Sequence, residues 1–237
     1  MKYAIFLMLG LSLAGCASAE LSDDQLKGIH RVAVFSAVGD TLDMREIPLF
    51  GIGGSDDIVQ IPDFGLDRYI TDKITAKLTG QYQVVAIKTP IPVKKGAPDD
   101  DWWFGHNTTK VDLPAGGDVG NGKVDTFVLI EPGMGFPFGA DQVHGPFVAH
   151  HPSMAPVETV VGIAYDIVIV DARTGKELKR VGVPVAKDAD NSIWQEKFSA
   201  LTPSQKLAIN TLLHQVVDVT VDKVLEIMKL AGAGEPT

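Results

Sequence analysis

Between Thr159 and Val170, Val161, Ile163, Tyr165, Ile167 and Ile169 occupy every second position, with Val160, Gly162, Ala164, Asp166, Val168 and Val170 interleaved. Successive side chains of an extended chain point to opposite faces, so this period-two run reads as a long strand inside a sheet. Asp171-Ala-Arg-Thr-Gly175 supplies a turn, and Lys176 to Val183 returns as the second arm of a hairpin. Any fold of this chain is built around that hairpin.

The remaining elements follow from punctuation and period. His30-Arg-Val-Ala-Val-Phe-Ser-Ala-Val38 is a β-rich run ended by Gly39-Asp40, and residues 43–62, with Pro48, Gly51, Gly53, Gly54 and Pro62, read as a long loop. Asp63 is placed to cap a helix whose apolar positions Leu66, Tyr69, Ile70, Ile74 and Leu78, with the stem of Lys77, recur every three or four residues until Gly80. Tyr82 to Ile87 is the next strand, so a right-handed crossover is expected. Residues 88–122 and 131–156 are rich in Gly and Pro and read as two irregular insertions on either side of a strand from Lys123 to Ile130.

Thr202-Pro203-Ser204-Gln205 is the strongest helix start in the chain, combining a capping hydroxyl, proline at the first helical position and a glutamine placed for a capping box. The helix should run to about Leu230, roughly 40 Å. Its apolar residues, among them Leu207, Leu213, Val216, Val217 and Leu225, cover more than half its circumference, which calls for packing against the sheet or a partner. The expected fold is α/β (α+β): a mixed sheet of about five strands, an amphipathic helix after the first strand, a long C-terminal helix and two long Gly/Pro-rich insertions.

At the other end, Lys2 and the apolar stretch from Tyr3 lead into Leu13-Ala14-Gly15-Cys16, which holds the chain's one cysteine. This looks like a bacterial lipoprotein signal: a positive n-region, an apolar h-region and small residues that a signal peptidase accepts before a sulfur. That resemblance implies removal of residues 1–15 and a mature chain that begins at Cys16, acylated with palmitate-type chains and held by membrane lipid. Ala17, where an inner-membrane retention signal would show Asp, implies the periplasmic face of the outer membrane. Ala17-Ser18-Ala19 before Glu20 also fits an ordinary secretory cleavage site, and the apolar run of about a dozen residues falls short of the ~20 that cross a bilayer. Residues 16–29 are polar and read as a tether in which Leu21, Leu26 and Ile29 could support one helical turn; 30–232 read as a single periplasmic domain and 233–237 as a tail.

Composition removes several classes of function. With 30 acidic against 21 basic residues the net charge is −9, which repels phosphate backbones and argues against nucleic acid as a partner. A single cysteine excludes an intrachain disulfide framework and a thiolate zinc site. There is no G-x-S-x-G elbow, P-loop or H-E-x-x-H, and Gly51-Ile-Gly53-Gly54 is an incomplete dinucleotide fingerprint. Asp188-Ala-Asp190-Asn191-Ser192 begins like a calcium loop but carries Ser199 where the bidentate Glu belongs, so it reads as a solvated turn.

Two features remain. Asp141, His144, His150 and His151 are the one cluster with ligand chemistry, able to hold zinc or a related cation if the imidazoles converge, yet their spacing matches no named motif and the segment reads as a polar surface loop. Trp102, Trp103 and Phe104 cover a core edge or contact a partner or glycan. No catalytic residue, cofactor or metal ligand is assigned.

Arg31-Val-Ala-Val-Phe-Ser, the helix from Gly65 to Leu78 with Tyr82-Gln-Val-Val, and Ile169-Val-Asp-Ala-Arg-Thr-Gly-Lys-Glu-Leu178 together resemble the periplasmic α/β module of CsgG, LpoB and the TolB N-terminal domain, over about 130 residues. That resemblance implies a non-enzymatic assembly, accessory or regulatory binding module with an envelope protein partner or self-association. The two insertions depart from the pattern, and no pore-forming segment like that of CsgG is visible. The competing expectation is a lipid-anchored hydrolase or metal-dependent enzyme using the 131–156 loop.

Overall fold

The structure is a computed structural model and describes residues 21–48, 54–94, 110–139, 142–152, 157–227 and 230. Its elements are α1 (Asp23–Lys27), β1 (Arg31–Ser36), β2 (Thr41–Glu46), β3 (Asp56–Gln60), α2 (Leu66–Leu78), β4 (Gln83–Val84), β5 (Val93–Lys94) and β6 (Lys110–Val111). They continue as β7 (Thr126–Pro132), β8 (Met134–Gly135), β9 (Val143–His151), β10 (Glu158–Asp171), β11 (Glu177–Ala189) and α3 (Pro203–Ile227).

The expected hairpin is the axis of the sheet. Along one edge β10 pairs antiparallel with β11, from Thr159↔Ala189 to Val170↔Glu177. Its other edge is shared: β9 takes the first half, up to Ala164↔Gly145, and β7 the second, from Tyr165↔Pro132. β7 and β9 therefore lie end to end as one interrupted track. The next track is interrupted in the same way, because β1 pairs parallel with β7 and β2 parallel with β9. Outermost, β4 runs parallel to β1 and β3 antiparallel to β2.

The expectation of about five strands is corrected accordingly. The main sheet has nine strands, with β8 added on β9, and β5 and β6 form a separate ribbon. Eight of the nine fall into five tracks, so the sheet is as wide as expected but its tracks are broken. One break has a visible cause. The Gly133 amide donates to the Ala164 carbonyl at 2.9 Å, and a Cβ on Gly133 would stand 2.7 Å from the Tyr165 backbone. Only glycine lets the chain leave the track so close to β10.

At the break between β1 and β2, Asp67 in the first turn of α2 accepts from Ser36 Oγ at 2.6 Å and from the amides of Val38 and Gly39 at 2.7 and 3.0 Å. The helix thus caps the bend in the sheet, rather than the sheet merely supporting the helix. Asp63 is not the cap: it sits in a 3-10 turn (Pro62–Phe64), and the N-cap is Gly65 at φ 62°, with no side-chain bond. At α3 the expected box is present, with Thr202 N donating to Gln205 Oε1 at 2.7 Å and Gln205 N to Thr202 Oγ1 at 3.3 Å.

Both helices cover one face. Ile70, Ile74 and Leu78 of α2 and Val217, Val221 and Leu225 of α3 pack on Val34, Val128, Ile163, Tyr165 and Ile167, while Ile209 and Leu213 cover Leu42, Met44, Val148 and Val161 further along. Residues of the two insertions and of segments beside the strands cover the opposite face: Val119 and Val124 lie over Phe127, Val168 and Val170, and Phe138, with Ile47 just after β2, packs with Val143, Phe147, Val160 and Ala164. The result is helices, sheet and insertions in three layers. β10, covered on both faces, is buried nearly throughout.

Four further expectations change. Residues 43–62 are not all loop, since β2 and β3 lie there, and 131–156 are not irregular, since β9 is an inner strand paired on both edges. The Tyr82–Ile87 strand shrinks to Gln83–Val84. Residues 21–29 are more than tether: Ser22 closes a capping box on α1, and Leu21 and Ile29 are buried in the main core.

The sheet has two distinct ends. Arg31, Thr126, Asp171 and Glu177 mark the near end, beside the C-terminal parts of α2 and α3; Glu46, His151, Glu158 and Ala189 mark the far end. β10 spans the distance with 14 residues, roughly 45 Å of extended chain.

Candidate functional site

The far end brings His150 into a polar network that joins three separate chain segments. Thr159 of β10 stands opposite His150 of β9 in the antiparallel register. After β11, Asp190 accepts from Ser192 N at 2.8 Å and starts a 3-10 turn, Asn191–Ile193, that swings Asn191 back over the strand pair. Asn191 Nδ2 donates to the Val157 carbonyl at 2.9 Å, and its Oδ1 accepts from Thr159 Oγ1 at 2.7 Å.

This order fixes the histidine. A threonine hydroxyl has one proton, and it is committed to Asn191, so at 2.8 Å Thr159 Oγ1 must accept from His150 Nδ1. Neutral His150 then carries its proton on Nδ1 and presents a bare lone pair at Nε2. Trp194, next after the 3-10 turn, stacks on the ring at 5.1 Å between centroids and 9° between planes. Burial lowers the His150 pKa; Glu46, its neighbour across the β2–β9 register, opposes the shift and His151 adds to it. The arrangement is an oriented, neutral acceptor backed by an aromatic wall.

The other candidate ligands do not join it. His151 is the next residue in an extended strand and lies on the insertion face, its ring edge-on to Phe138 at 5.4 Å and 89°. His144 is six residues back along β9, on the order of 20 Å away, where Gln142 Nε2 donates to its Nε2 at 2.7 Å. Its pKa is lowered by burial and by Arg45. Among the described residues no three His, Cys, Asp or Glu side chains are placed to hold a metal ion. His144, His150 and His151 therefore do not converge, and the metal site that their convergence would have allowed is not formed by them. Asp141, the Trp102-Trp103-Phe104 run and Cys16 lie outside the described residues. Of Asp188-Ala-Asp190-Asn191-Ser192, the first two residues end β11 and the last three make the expected turn, which also supplies the Asn191 that orients His150 through Thr159.

Sequence reasoning reached His150 and missed its partners. Thr159 reads as one more strand residue, and Trp194 sits in a short irregular stretch with no periodicity. No local signal links them, because the contact is made by strand register and by the turn after β11.

Two other features lie apart from this network. On the insertion face Arg180 of β11 bonds Glu131 of β7, Asp166 of β10 at 2.8 Å and Glu177 at 2.9 Å, tying three tracks together. Burial opposes its charge, but the bonds from Glu177, Glu131 and Asp166 outweigh that and hold it protonated. At the near end a cleft of about 220 Å³ lies between Leu113–Gly116 and the Asp171–Gly175 turn, walled mainly by apolar atoms. The Asp171 carboxylate there is already bonded to the amides of Arg173 and Thr174.

No protein-family model matches the chain, and no curated protein matches it. Among solved structures it is similar to a Xanthomonas campestris protein of family DUF330, with 9% identity over 85% of this chain and 86% of that one, at a TM-score of 0.40. It is similar to a Neisseria meningitidis lipoprotein, with 11% identity over 83% and 99% of the two chains and a TM-score of 0.31. A Helicobacter pylori homolog of a neuraminyllactose-binding hemagglutinin gives 10% identity over 92% and 94%, at a TM-score of 0.36. Likenesses at these TM-scores carry no argument about activity.

Proposed function

We propose that this chain is a non-enzymatic, lipid-anchored module of the bacterial envelope that binds another envelope component from the periplasmic face of the outer membrane. The observation that carries the reading is Leu13-Ala14-Gly15-Cys16, with its sole cysteine at the one position where a thioether to lipid is made. Among the described residues no helix is long and apolar enough to cross a membrane. The charged cluster around Arg180 is occupied in holding tracks of the sheet together. The likeness in element order to the CsgG, LpoB and TolB module points to the same class of assembly, accessory or regulatory protein. Metabolic labelling with a fatty-acid analogue tests the reading: wild type should take up label and Cys16→Ser should not. An unlabelled wild type whose mature N-terminus is Glu20 would refute it.

The far-end network favours a secondary role for His150 as a recognition residue. A neutral imidazole lone pair beside Trp194 suits a ligand with a hydrogen-bond donor next to an apolar group. His150→Ala should weaken capture of the envelope partner in crosslinking without changing the amount of lipidated protein.

A further inference from the structure

Leu21 is buried in the main core and, through α1, leads in a few residues to the near end of the sheet, where β1 starts at Arg31. Five residue steps separate Leu21 from Cys16. At 3.3–3.6 Å per residue even a fully extended chain covers no more than about 18 Å. A lipid-modified Cys16 lies at the membrane surface, so the tether is shorter than the sheet by more than a factor of two. We infer that the near end of the domain abuts the membrane headgroups, so that the sheet stands away from the bilayer and the far-end network around His150 and Trp194 faces the periplasm. The inference rests on the lipid-anchor reading proposed above.

Charge is arranged for that pose. The near end presents Lys27, Arg31, Lys123, Arg173 and Lys176 among carboxylates such as Asp24 and Asp171, so it approaches an anionic headgroup layer without net repulsion. The far end gathers Asp56, Asp57, Glu158, Asp188 and Asp190 against fewer cations, Lys187 and Lys197, the latter paired with Asp57 at 3.6 Å, so it is net acidic and such a layer repels it. Reversing the domain would bring those carboxylates to the lipid and would require the tether to span the length of β10, which it cannot do.

The experiment uses full-length lipidated protein in vesicles of phosphatidylethanolamine and phosphatidylglycerol that contain headgroup-nitroxide lipid. Gln81→Cys at the near end and Ile58→Cys toward the far end, both exposed positions, are labelled with a maleimide fluorophore. The Gln81→Cys label should be quenched several-fold more strongly than the Ile58→Cys label. Equal quenching, or stronger quenching at Ile58→Cys, overturns the orientation. A ten-residue Gly/Ser insertion after Glu20 should bring the two labels toward parity, and an unchanged difference would overturn the short tether as its cause. The intact mass of the same samples separates the two claims: absence of an acyl mass on Cys16 sinks the anchor reading, whereas an acylated protein without differential quenching sinks only the orientation.

Discussion

Tyr165 of β10 donates its hydroxyl to Thr220 of α3 at 2.7 Å inside the core, while Thr220 passes its own proton to the Val216 carbonyl at 2.9 Å. The bond joins the axis of the sheet to the helix that covers it. Burial pushes the Tyr165 pKa up to about 12, above the ordinary value of 10.0. Because the folded state favours the neutral phenol, this contribution to stability is complete below pH 10 and is lost as pH rises through about 12. Alkaline unfolding followed by circular dichroism should therefore be steeper in wild type than in Tyr165→Phe, which should itself cost about 1 kcal/mol at pH 7. Equal alkaline slopes would contradict the buried phenol.

Asp67 carries the bend between β1 and β2 with one carboxylate accepting three bonds. Asp67→Ala strands the Val38 and Gly39 amides and should lower stability by about 2–3 kcal/mol, read from the urea midpoint. Gly39→Ala should also destabilise, since its Cβ would stand 2.6 Å from the Leu66 Cβ.

His150 and His144 both have pKa values lowered by burial. A depressed histidine contributes stability above its unfolded value near 6.5 that is lost as pH falls through the folded value. Stability should therefore drop on acidification below about pH 6.5, and less so in His150→Asn. The stacked ring adds a direct readout: acid should change the fluorescence of Trp194, and Trp194→Phe should remove that component.

On α3 the sequence offers more apolar surface than one sheet face can take, and the structure divides it. Leu213 is fully buried, whereas Leu207 and Val219 are 66% and 72% exposed. Leu213→Asp should unfold the domain by burying an unpaired carboxylate, at a cost of several kcal/mol. Leu207→Asp and Val219→Asp should leave circular dichroism and thermal midpoint nearly unchanged.

The elements legible in advance are those whose signal is local. β10 alternates cleanly because its odd residues from Val161 to Ile169 meet the helices and its even residues the insertions. The α3 cap is written in four consecutive residues. β9 was illegible for the opposite reason: Val143–His151 contains Gly145, Pro146 and three histidines, and it becomes a strand only because β2 and β10 pair with its two edges. β2, Thr41–Glu46, hides Leu42 and Met44 among charged residues, with Asp43 buried beside Arg45. The α2 cap was misplaced because Gly65 in a left-handed conformation starts the helix without a side-chain signal. His150 stood out as a titratable group, but its chemistry is set by Thr159 and Asn191, which arrive through register and a distant turn.

The mass of the N-terminal peptide decides whether the mature chain starts at an acylated Cys16. After membrane extraction and proteolysis, a peptide beginning at Cys16 and carrying diacylglyceryl and fatty-acyl mass is the predicted result. An unmodified N-terminus at Glu20, or an intact Met1, would contradict it.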